Sequence, residues 1–109
     1  MRSPAAGPAI SLDVELLRLL ADPLRAQIVA LLSVEQLCTC HLVELTGASQ
    51  SNVSNHLRAL RQAGVAQAES AGRFTYYRLV PERLAELGSA IEGLAEQARA
   101  AVERKRPCQ

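Results

Sequence analysis

The chain contains three cysteines, Cys38, Cys40 and Cys108, and the first two are separated by one residue and followed directly by His41. Their number is odd, and neither a signal peptide nor an apolar run of membrane length precedes them, so a secreted disulfide framework is not expected. We therefore expect a cytoplasmic protein with no membrane partner, whose reduced thiols are available for metal or redox chemistry. The simpler interpretation is that Cys38 and Cys40 are small apolar core residues.

A second set of chemically informative side chains falls between Gln50 and Ala63. Val53, Leu57 and Leu60 recur there at helical spacing, which predicts a helix with one buried stripe. The positions away from the stripe and on its flanks have hydroxyl, amide and guanidinium groups, with an imidazole near the edge: Ser51, Asn52, Ser54, Asn55, His56, Arg58, Arg61 and Gln62. Amides can pair bidentately with adenine and guanidinium groups with guanine, so we expect this face to contact base edges in the major groove of DNA.

The distribution of charge favours the same surface. The formal net charge of the chain is only +1, but between Ser49 and Leu79 four arginines stand against one glutamate, so this stretch has a charge of +3 and the remainder −2. A basic segment in an otherwise acidic chain is typical of a nucleic-acid surface, although a solvated helix face can have the same charge. No nucleophile, base and orienting group form a catalytic pattern, so we expect no enzyme and no permanent cofactor.

The elements that must position these groups are predicted to be mostly helical. The 109 residues are 49% apolar and only 3% aromatic, which indicates one small domain built largely from helices. Ser11 is predicted to cap a first helix with a broad apolar stripe, and Asp22 and Pro23 to begin a second. A short third helix should end at Gly47, and Ser49 should cap the fourth. Two short helices joined by a tight turn predict a helix-turn-helix.

A hairpin and a long last helix are predicted after the fourth helix. The segments Val65 to Ser70 and Phe74 to Leu79 have the composition of strands, and Arg73 in the turn between them can reach a minor groove or a phosphate. From Pro81 onward, apolar residues recur at alternating spacings of three and four, a seam that suits packing against another helix.

The expected fold is therefore mainly α with a small β-hairpin wing, a winged helix-turn-helix that forms a homodimer through its first and last helices. A small chain buries a modest share of its surface, so a partner subunit would stabilise it. The expected domain spans residues 10–104, with a mobile segment at 1–9 and a mobile tail at 105–109. Two-fold symmetry predicts a near-palindromic double-stranded operator.

Three passages resemble the ArsR/SmtB family of metal-responsive repressors: LADPLRAQIVALL at 20–32, LCTCHLVELTGASQSNVSNHLRALRQAGV at 37–65 and GRFTYYRL at 72–79. The likeness spans roughly residues 12–103. It implies a winged-helix homodimer that binds an operator and leaves it when an inducer binds. The residues that match the family's recognition-helix positions are Ser49, Gln50, Ser51, Ser54, Asn55 and His56.

The same resemblance gives the cysteine pair a specific meaning. Cys38-Thr39-Cys40 matches the family's Cys-x-Cys motif for arsenic and heavy metals, and thiolates suit arsenite, antimonite and soft divalent ions. The family's arsenic sites usually use a third cysteine three residues after the second, where this chain has Val43. His41, Cys108 of either subunit or a cellular thiol are the candidates to complete the site. An imidazole ligand would also admit nickel, zinc or cobalt.

Two features of this site remain open from the sequence. Residues at i and i+2 do not share a helix face, so chelation by Cys38 and Cys40 predicts either a local unwinding or a site at the start of the third helix. The pair could also act as a redox switch that closes a disulfide on oxidation. A further alternative is a module that needs a second protein to bind DNA or an enzyme partner.

Overall fold

The computed structural model describes residues 10–108 and consists of five helices and a three-stranded antiparallel sheet. In chain order the elements are α1 (Val14–Ala21), α2 (Pro23–Leu32), β1 (Leu37–Cys38), α3 (Thr39–Thr46), α4 (Gln50–Gln62), β2 (Ala66–Ala71), β3 (Phe74–Leu79) and α5 (Pro81–Ala100). Helices α3 and α4 form the helix-turn-helix, and β2 and β3 form the wing. The predicted mainly α winged helix-turn-helix is thereby confirmed. The segment predicted to be mobile at 1–9 lies outside the described residues.

Side-chain caps fix where the helices of the first half begin. Asp22 accepts from the Arg25 N–H at 3.0 Å and Ser49 from the Asn52 N–H at 3.2 Å, as predicted for α2 and α4. The cap of α1 is Asp13, which accepts from the Leu16 N–H at 3.0 Å, and not Ser11 as predicted. The helix starts two residues later than the Ser11 cap required, and a carboxylate is also the better partner for the positive helix N-terminus.

Strand β1 is the element that the sequence prediction missed. Leu37 was expected to precede the third helix without pairing and Cys38 to lie at the start of that helix. In the structure Leu37 pairs with Tyr77 and Cys38 with Tyr76 of β3, which places β3 in the centre of the sheet. A strand of two residues has no periodicity of its own. It exists because residues 38 and 40 positions away along the chain supply its hydrogen bonds, and such distant partners leave no local pattern in the sequence.

The core lies where the helix-turn-helix, α2 and the sheet meet. The predicted stripe of α4, Val53, Leu57 and Leu60, is buried there together with residues of every other helix. By contrast, Leu87 is the buried apolar residue of α5, and Ile91 and Leu94 farther along that helix are 47% and 37% exposed. Most of the apolar seam of α5 therefore has little cover within one copy of the chain.

Truncating the α4 stripe should lower stability strongly. Leu57 is 1% exposed, so Leu57→Ala is expected to reduce the free energy of unfolding by about 2–5 kcal/mol, because it removes apolar burial and leaves a cavity. Leu45→Ala is the matched control, since Leu45 is 52% exposed and its loss should cost less than about 1 kcal/mol. Urea unfolding at one fixed protein concentration measures both, and equal losses for the two variants would contradict this description of the core.

Candidate nucleic-acid interface and thiol site

The exposed face of α4 displays most of the side chains that were predicted to contact DNA. Exposed to solvent are Gln50, Ser51, Asn52, Asn55, Arg58 and Arg61, and Ser54 is half-buried. The Asn55 Oδ1 atom accepts a hydrogen bond from Arg58 Nη1 at 2.9 Å, so an amide and a guanidinium lie side by side on this face. The Ser49 hydroxyl is exposed at the helix start and is used as the cap. These are neutral or cationic hydrogen-bonding groups with no carboxylate among them.

His56 lies elsewhere, although it was predicted to belong to the DNA-contacting set. Its side chain is 14% exposed, its Nδ1 accepts from Arg25 Nε at 3.2 Å, and its Nε2 is 3.7 Å from Asp22 Oδ1. Arg25 also donates to the Leu19 carbonyl at 2.8 Å. The imidazole therefore connects α4 to α2 and to the end of α1, and it is not part of the exposed face.

The arginines of α4 and the wing differ in their partners from the arginines of α1 and α5. Within the described residues, no carboxylate lies within 4.0 Å of the guanidinium groups of Arg58, Arg61, Arg73 or Arg78, whereas Arg18, Arg83 and Arg99 each have at least one. Unpaired guanidinium groups keep their full charge available to an anionic partner. The +3 segment of the sequence is thus an unneutralised surface in the fold.

A groove of about 570 Å³ separates α4 from β2. Two arginines and two glutamines line it together with small residues: Arg58, Arg61, Gln62, Ala66, Gln67 and Ala68. Gln67 was not among the predicted contacts, and its alternation with the inward-facing residues of β2 is the signal that could have identified it. At the wing tip Arg73 is exposed and follows Gly72, whose φ of 65° permits the tight turn.

The two neighbouring cysteines converge at the junction between β1 and α3. Cys38 is buried and extended, with φ −90° and ψ 169°, and serves as the residue that precedes α3, while Cys40 is exposed in the first turn. Their Cα atoms are 5.4 Å apart and their sulfur atoms are in contact, as in a disulfide. Because Cys38 lies outside the helix, both sulfur atoms reach one point without any unwinding of α3. This geometry agrees with the second of the two predicted arrangements.

His41 adds a nitrogen atom to the pair, and together these residues are called the thiol site here. Its Nδ1 accepts from the Cys38 N–H at 3.1 Å and lies 3.2 Å from the Cys38 sulfur. The ligand atoms of the three residues all lie within 4.8 Å of one another, a separation that one metal ion can span. In the described part of the chain Cys108 is exposed in the tail and does not join them, and Val43 packs against the core.

The thiol site contacts the wing strand as well as the helix-turn-helix. Cys38 pairs directly with Tyr76 of β3, and the rings of His41 and Tyr76 lie with their centroids 6.1 Å apart at an interplanar angle of 53°. Helix α3, which begins inside the site, packs on α4. A change in the separation of the three ligand atoms can therefore displace the candidate nucleic-acid interface in two ways, through β3 of the wing and through α3 packed on α4.

Comparisons with known proteins agree with this architecture. Residues 22–68 match the family described as bacterial regulatory protein, arsR family. The HTH-type transcriptional repressor SmtB of Mycobacterium tuberculosis is 43% identical over 86 residues, which are 77% of this chain and 64% of that protein. The arsenical resistance operon repressor of Escherichia coli K12 is 39% identical over 71 residues, which are 64% of this chain and 61% of the relative.

Solved structures include one of similar sequence and fold. A crystal structure described as a possible transcriptional regulator for arsenical resistance is 34% identical, with a TM-score of 0.66, and the match covers 83% of this chain and 96% of that one. The chain spans just under two thirds of the length of the curated relatives above. Among the described residues, no helix combines the length and hydropathy needed to cross a membrane.

Proposed function

The chain belongs to the ArsR family of bacterial regulatory proteins, and from this premise we propose that it is a homodimeric transcriptional repressor whose affinity for its DNA operator falls when a thiophilic ion binds Cys38 and Cys40. The relatives named above are transcriptional repressors and regulators and not enzymes. Two surfaces described above support the two halves of this proposal, the basic face of α4 for DNA and the thiol site for the ion.

The α4 face supports sequence-specific binding in the major groove. Asn55 and Arg58 have the groups that pair bidentately with adenine and guanine, and Gln50 and Ser51 extend the same face toward the helix start. Arg61 and the wing residue Arg73 have no carboxylate partner among the described residues. We therefore propose that they contact phosphates or enter the minor groove. Asn52 and Ser54 flank the face, and the Ser49 amide and hydroxyl lie where a phosphate can approach the helix start.

The exposed apolar residues of α1 and α5 support the homodimer. Val14 is 51% exposed, Ile91 47% and Leu94 37%, although each belongs to an apolar helical pattern. A second copy that covers these side chains would bury area that one chain leaves in water. The resulting two-fold axis would present two α4 helices to a near-palindromic operator, with half-site centres about 10 bp apart or a multiple of that distance.

The convergence of the Cys38 and Cys40 sulfur atoms and an imidazole nitrogen of His41 within 4.8 Å is the observation on which the ion response depends. Arsenite and antimonite are the first candidates, because thiolates bind them and two of the similar proteins are described by arsenical resistance. Zn²⁺ or Ni²⁺ would use the imidazole as well, since nitrogen suits these ions. Cys108 of either subunit or a cellular thiol is the proposed source of any further ligand.

Ion binding would affect DNA binding because the thiol site lies at the start of α3, the first helix of the helix-turn-helix. An ion that bridges three ligands imposes its own bond lengths on the β1–α3 junction, and α3 packs on α4. A small displacement of α3 would tilt α4 against the operator, while the pairing of Cys38 with Tyr76 would displace the wing. Typical couplings of this kind change affinity about 5–150-fold.

Equilibrium binding to a near-palindromic operator duplex, measured on the reduced protein with and without each ion, tests this proposal. The ions tested are arsenite, antimonite, Cd²⁺, Zn²⁺ and Ni²⁺. The control is the same set of measurements with a duplex of scrambled sequence. We expect at least one of these ions to weaken operator binding by a factor within the range above, with little change for the scrambled duplex. If none of the ions alters operator affinity, the sensing half of the proposal is wrong, and if the protein alone shows no operator preference, a second protein is required.

A second candidate function is a redox response of the same pair, favoured by the contact between the two sulfur atoms. The two thiols would give up two electrons and two protons to hydrogen peroxide, which becomes water, and one disulfide would form. Thiol titration before and after peroxide, with operator binding measured in parallel, separates this from ion sensing. Loss of two thiols together with a changed operator affinity supports the redox function, and unchanged affinity after disulfide formation excludes it.

A further inference from the structure

We propose that Arg83 is a positioning residue for the recognition helix, because it joins the C-terminal end of α4 to the α1 and α5 pair through one guanidinium group. The proposal rests on the DNA-binding function proposed above. Arg83 lies in the first turn of α5 and its side chain is 30% exposed. Its Nε donates to the Ala63 carbonyl at 3.1 Å, and its Nη2 lies 3.2 Å from Asp13 Oδ2.

The hydrogen bond from Arg83 to the Ala63 carbonyl lies at the C-terminal end of α4, where carbonyl groups lack donors within the helix. Ala63 is the residue that terminates the helix, and the last carbonyls of a helix have no intrahelical donor. A guanidinium at this end also has the sign of charge that the negative end of the helix dipole favours. The chain turns away at once through Gly64, whose φ is 76° and where an added Cβ atom would lie 3.9 Å from Arg83 Nε. The turn at Gly64 ends the helix, and Arg83 attaches that end to α5.

The contact at Asp13 ties the same guanidinium to the start of α1. Asp13 Oδ1 caps that helix by accepting from the Leu16 N–H, while Oδ2 is left to Arg83. The Leu16 N–H foremost, and the Arg83 guanidinium in addition, hold the pKa of Asp13 below its ordinary value. Glu86, one turn along α5, lies 3.9 Å from Arg83 Nη1 and is largely exposed, so Asp13 is the closer of the two carboxylates.

These contacts matter for DNA because α1 and α5 are the helices of the proposed dimer. The two α4 helices of a dimer reach both half-sites only if each is held at a fixed angle to the dimer helices. Helix α4 has 13 residues, or about 20 Å of length, so a tilt of about 5° about its Ala63 end moves Gln50 by about 1.7 Å. A displacement of that size is enough to break a bidentate base contact.

Operator binding by Arg83→Gln tests the proposal, with Arg99→Gln as the matched control. Arg99 is also an ion-paired arginine of α5, but its partners are Glu92 and Glu96 of the same helix. At a temperature where both variants are fully folded and dimeric, we expect Arg83→Gln to bind the operator roughly tenfold more weakly than Arg99→Gln. Its affinity for a scrambled duplex and the slope of log affinity against log salt should stay unchanged, because Arg83 touches no phosphate in this account.

Three results decide the matter. Equal operator affinity for the two variants would overturn the proposal, because a purely structural residue changes stability and not the affinity of the folded dimer. An equal loss for operator and scrambled duplex, with a salt slope lowered by about one, would also overturn it, since Arg83 would then be a phosphate contact. A wild-type protein without any operator preference would instead overturn the proposed function itself.

Asp13→Asn keeps the test decisive if Arg83→Gln fails to fold. Asparagine is a good helix cap, so this variant should preserve α1 and lose only the charge that holds Arg83. We expect weakened operator binding from it alone, by less than Arg83→Gln causes, because the bond from Arg83 to the Ala63 carbonyl remains. Where Arg83→Gln folds, the double variant should bind no more weakly than Arg83→Gln itself, and Arg83→Lys, which keeps the positive charge, should recover part of the loss. Operator binding by Asp13→Asn at the wild-type level would contradict the proposal.

Discussion

Replacing Asn55 or Arg58 by alanine is expected to leave a folded dimer that still binds DNA but has lost most of its preference for the operator. Both side chains are exposed on α4 and joined by a 2.9 Å hydrogen bond, so neither contributes to the core. Each bidentate base contact is worth about 1–3 kcal/mol of discrimination, and two-fold symmetry applies the loss twice per dimer. Competition between operator and scrambled duplexes at one salt concentration measures the preference directly.

The two variants should differ in a way that identifies their roles. Asn55→Ala removes a neutral group, so the salt dependence of binding should not change, whereas Arg58→Ala also removes a charge near the groove and should lower the salt slope if it touches a phosphate. Their effects should not add, because Asn55 orients Arg58. Arg18→Ala is the control, an exposed arginine of α1 paired with Glu15. Unchanged operator preference in both α4 variants would move the DNA-contacting surface elsewhere.

Cys38→Ser and Cys40→Ser are expected to keep operator binding and to abolish its response to thiophilic ions. Serine preserves the size of the side chain but replaces a soft thiolate by a poor ligand for these ions. The 5–150-fold loss of affinity that the ion causes in the wild type should therefore fall to within about twofold. Cys108→Ser is the matched control because Cys108 is exposed and separate from the thiol site. A full ion response in Cys38→Ser would contradict the proposed site.

His41→Ala should distinguish among the ions. Its imidazole supplies the third ligand atom of the proposed site, so Zn²⁺ and Ni²⁺ should lose more of their effect than arsenite, which can be held by the two thiolates. The same substitution removes the acceptor for the Cys38 N–H, so the far-ultraviolet circular dichroism of the variant must match the wild type for the comparison to count. Equal loss for all ions would assign His41 a structural role at the start of α3.

Local patterns in the sequence predicted the parts of the fold that depend on neighbouring residues. The i, i+4, i+7 spacing of Val53, Leu57 and Leu60 specifies one buried face whatever α4 packs against. Asp22 and Ser49 could be assigned as caps because a cap bonds an N–H only three residues away. The wing strands could be recognised from the β propensity of Phe74, Tyr76 and Tyr77 around a glycine turn.

Features that depend on distant partners could not be predicted in the same way. Strand β1 exists only through pairing with β3, and the extended backbone that this pairing imposes on Cys38 is what brings its sulfur to Cys40. His56 was placed correctly near the edge of the α4 stripe, but its partners Arg25 and Asp22 come from α2. The side chain of Arg83 looks like part of a solvated helix until α5 is packed beside Ala63 and Asp13.

The central claim is that the thiol site and the DNA surface are coupled, and the affinity of the ion with and without saturating operator tests it most directly. Linkage requires that the factor by which the ion weakens operator binding equals the factor by which the operator weakens ion binding. With the most effective of the ions tested, we expect equal factors between about 5 and 150 for the wild type and a factor near one for Cys38→Ser. Ion affinity that stays the same in the presence of saturating operator would contradict the account.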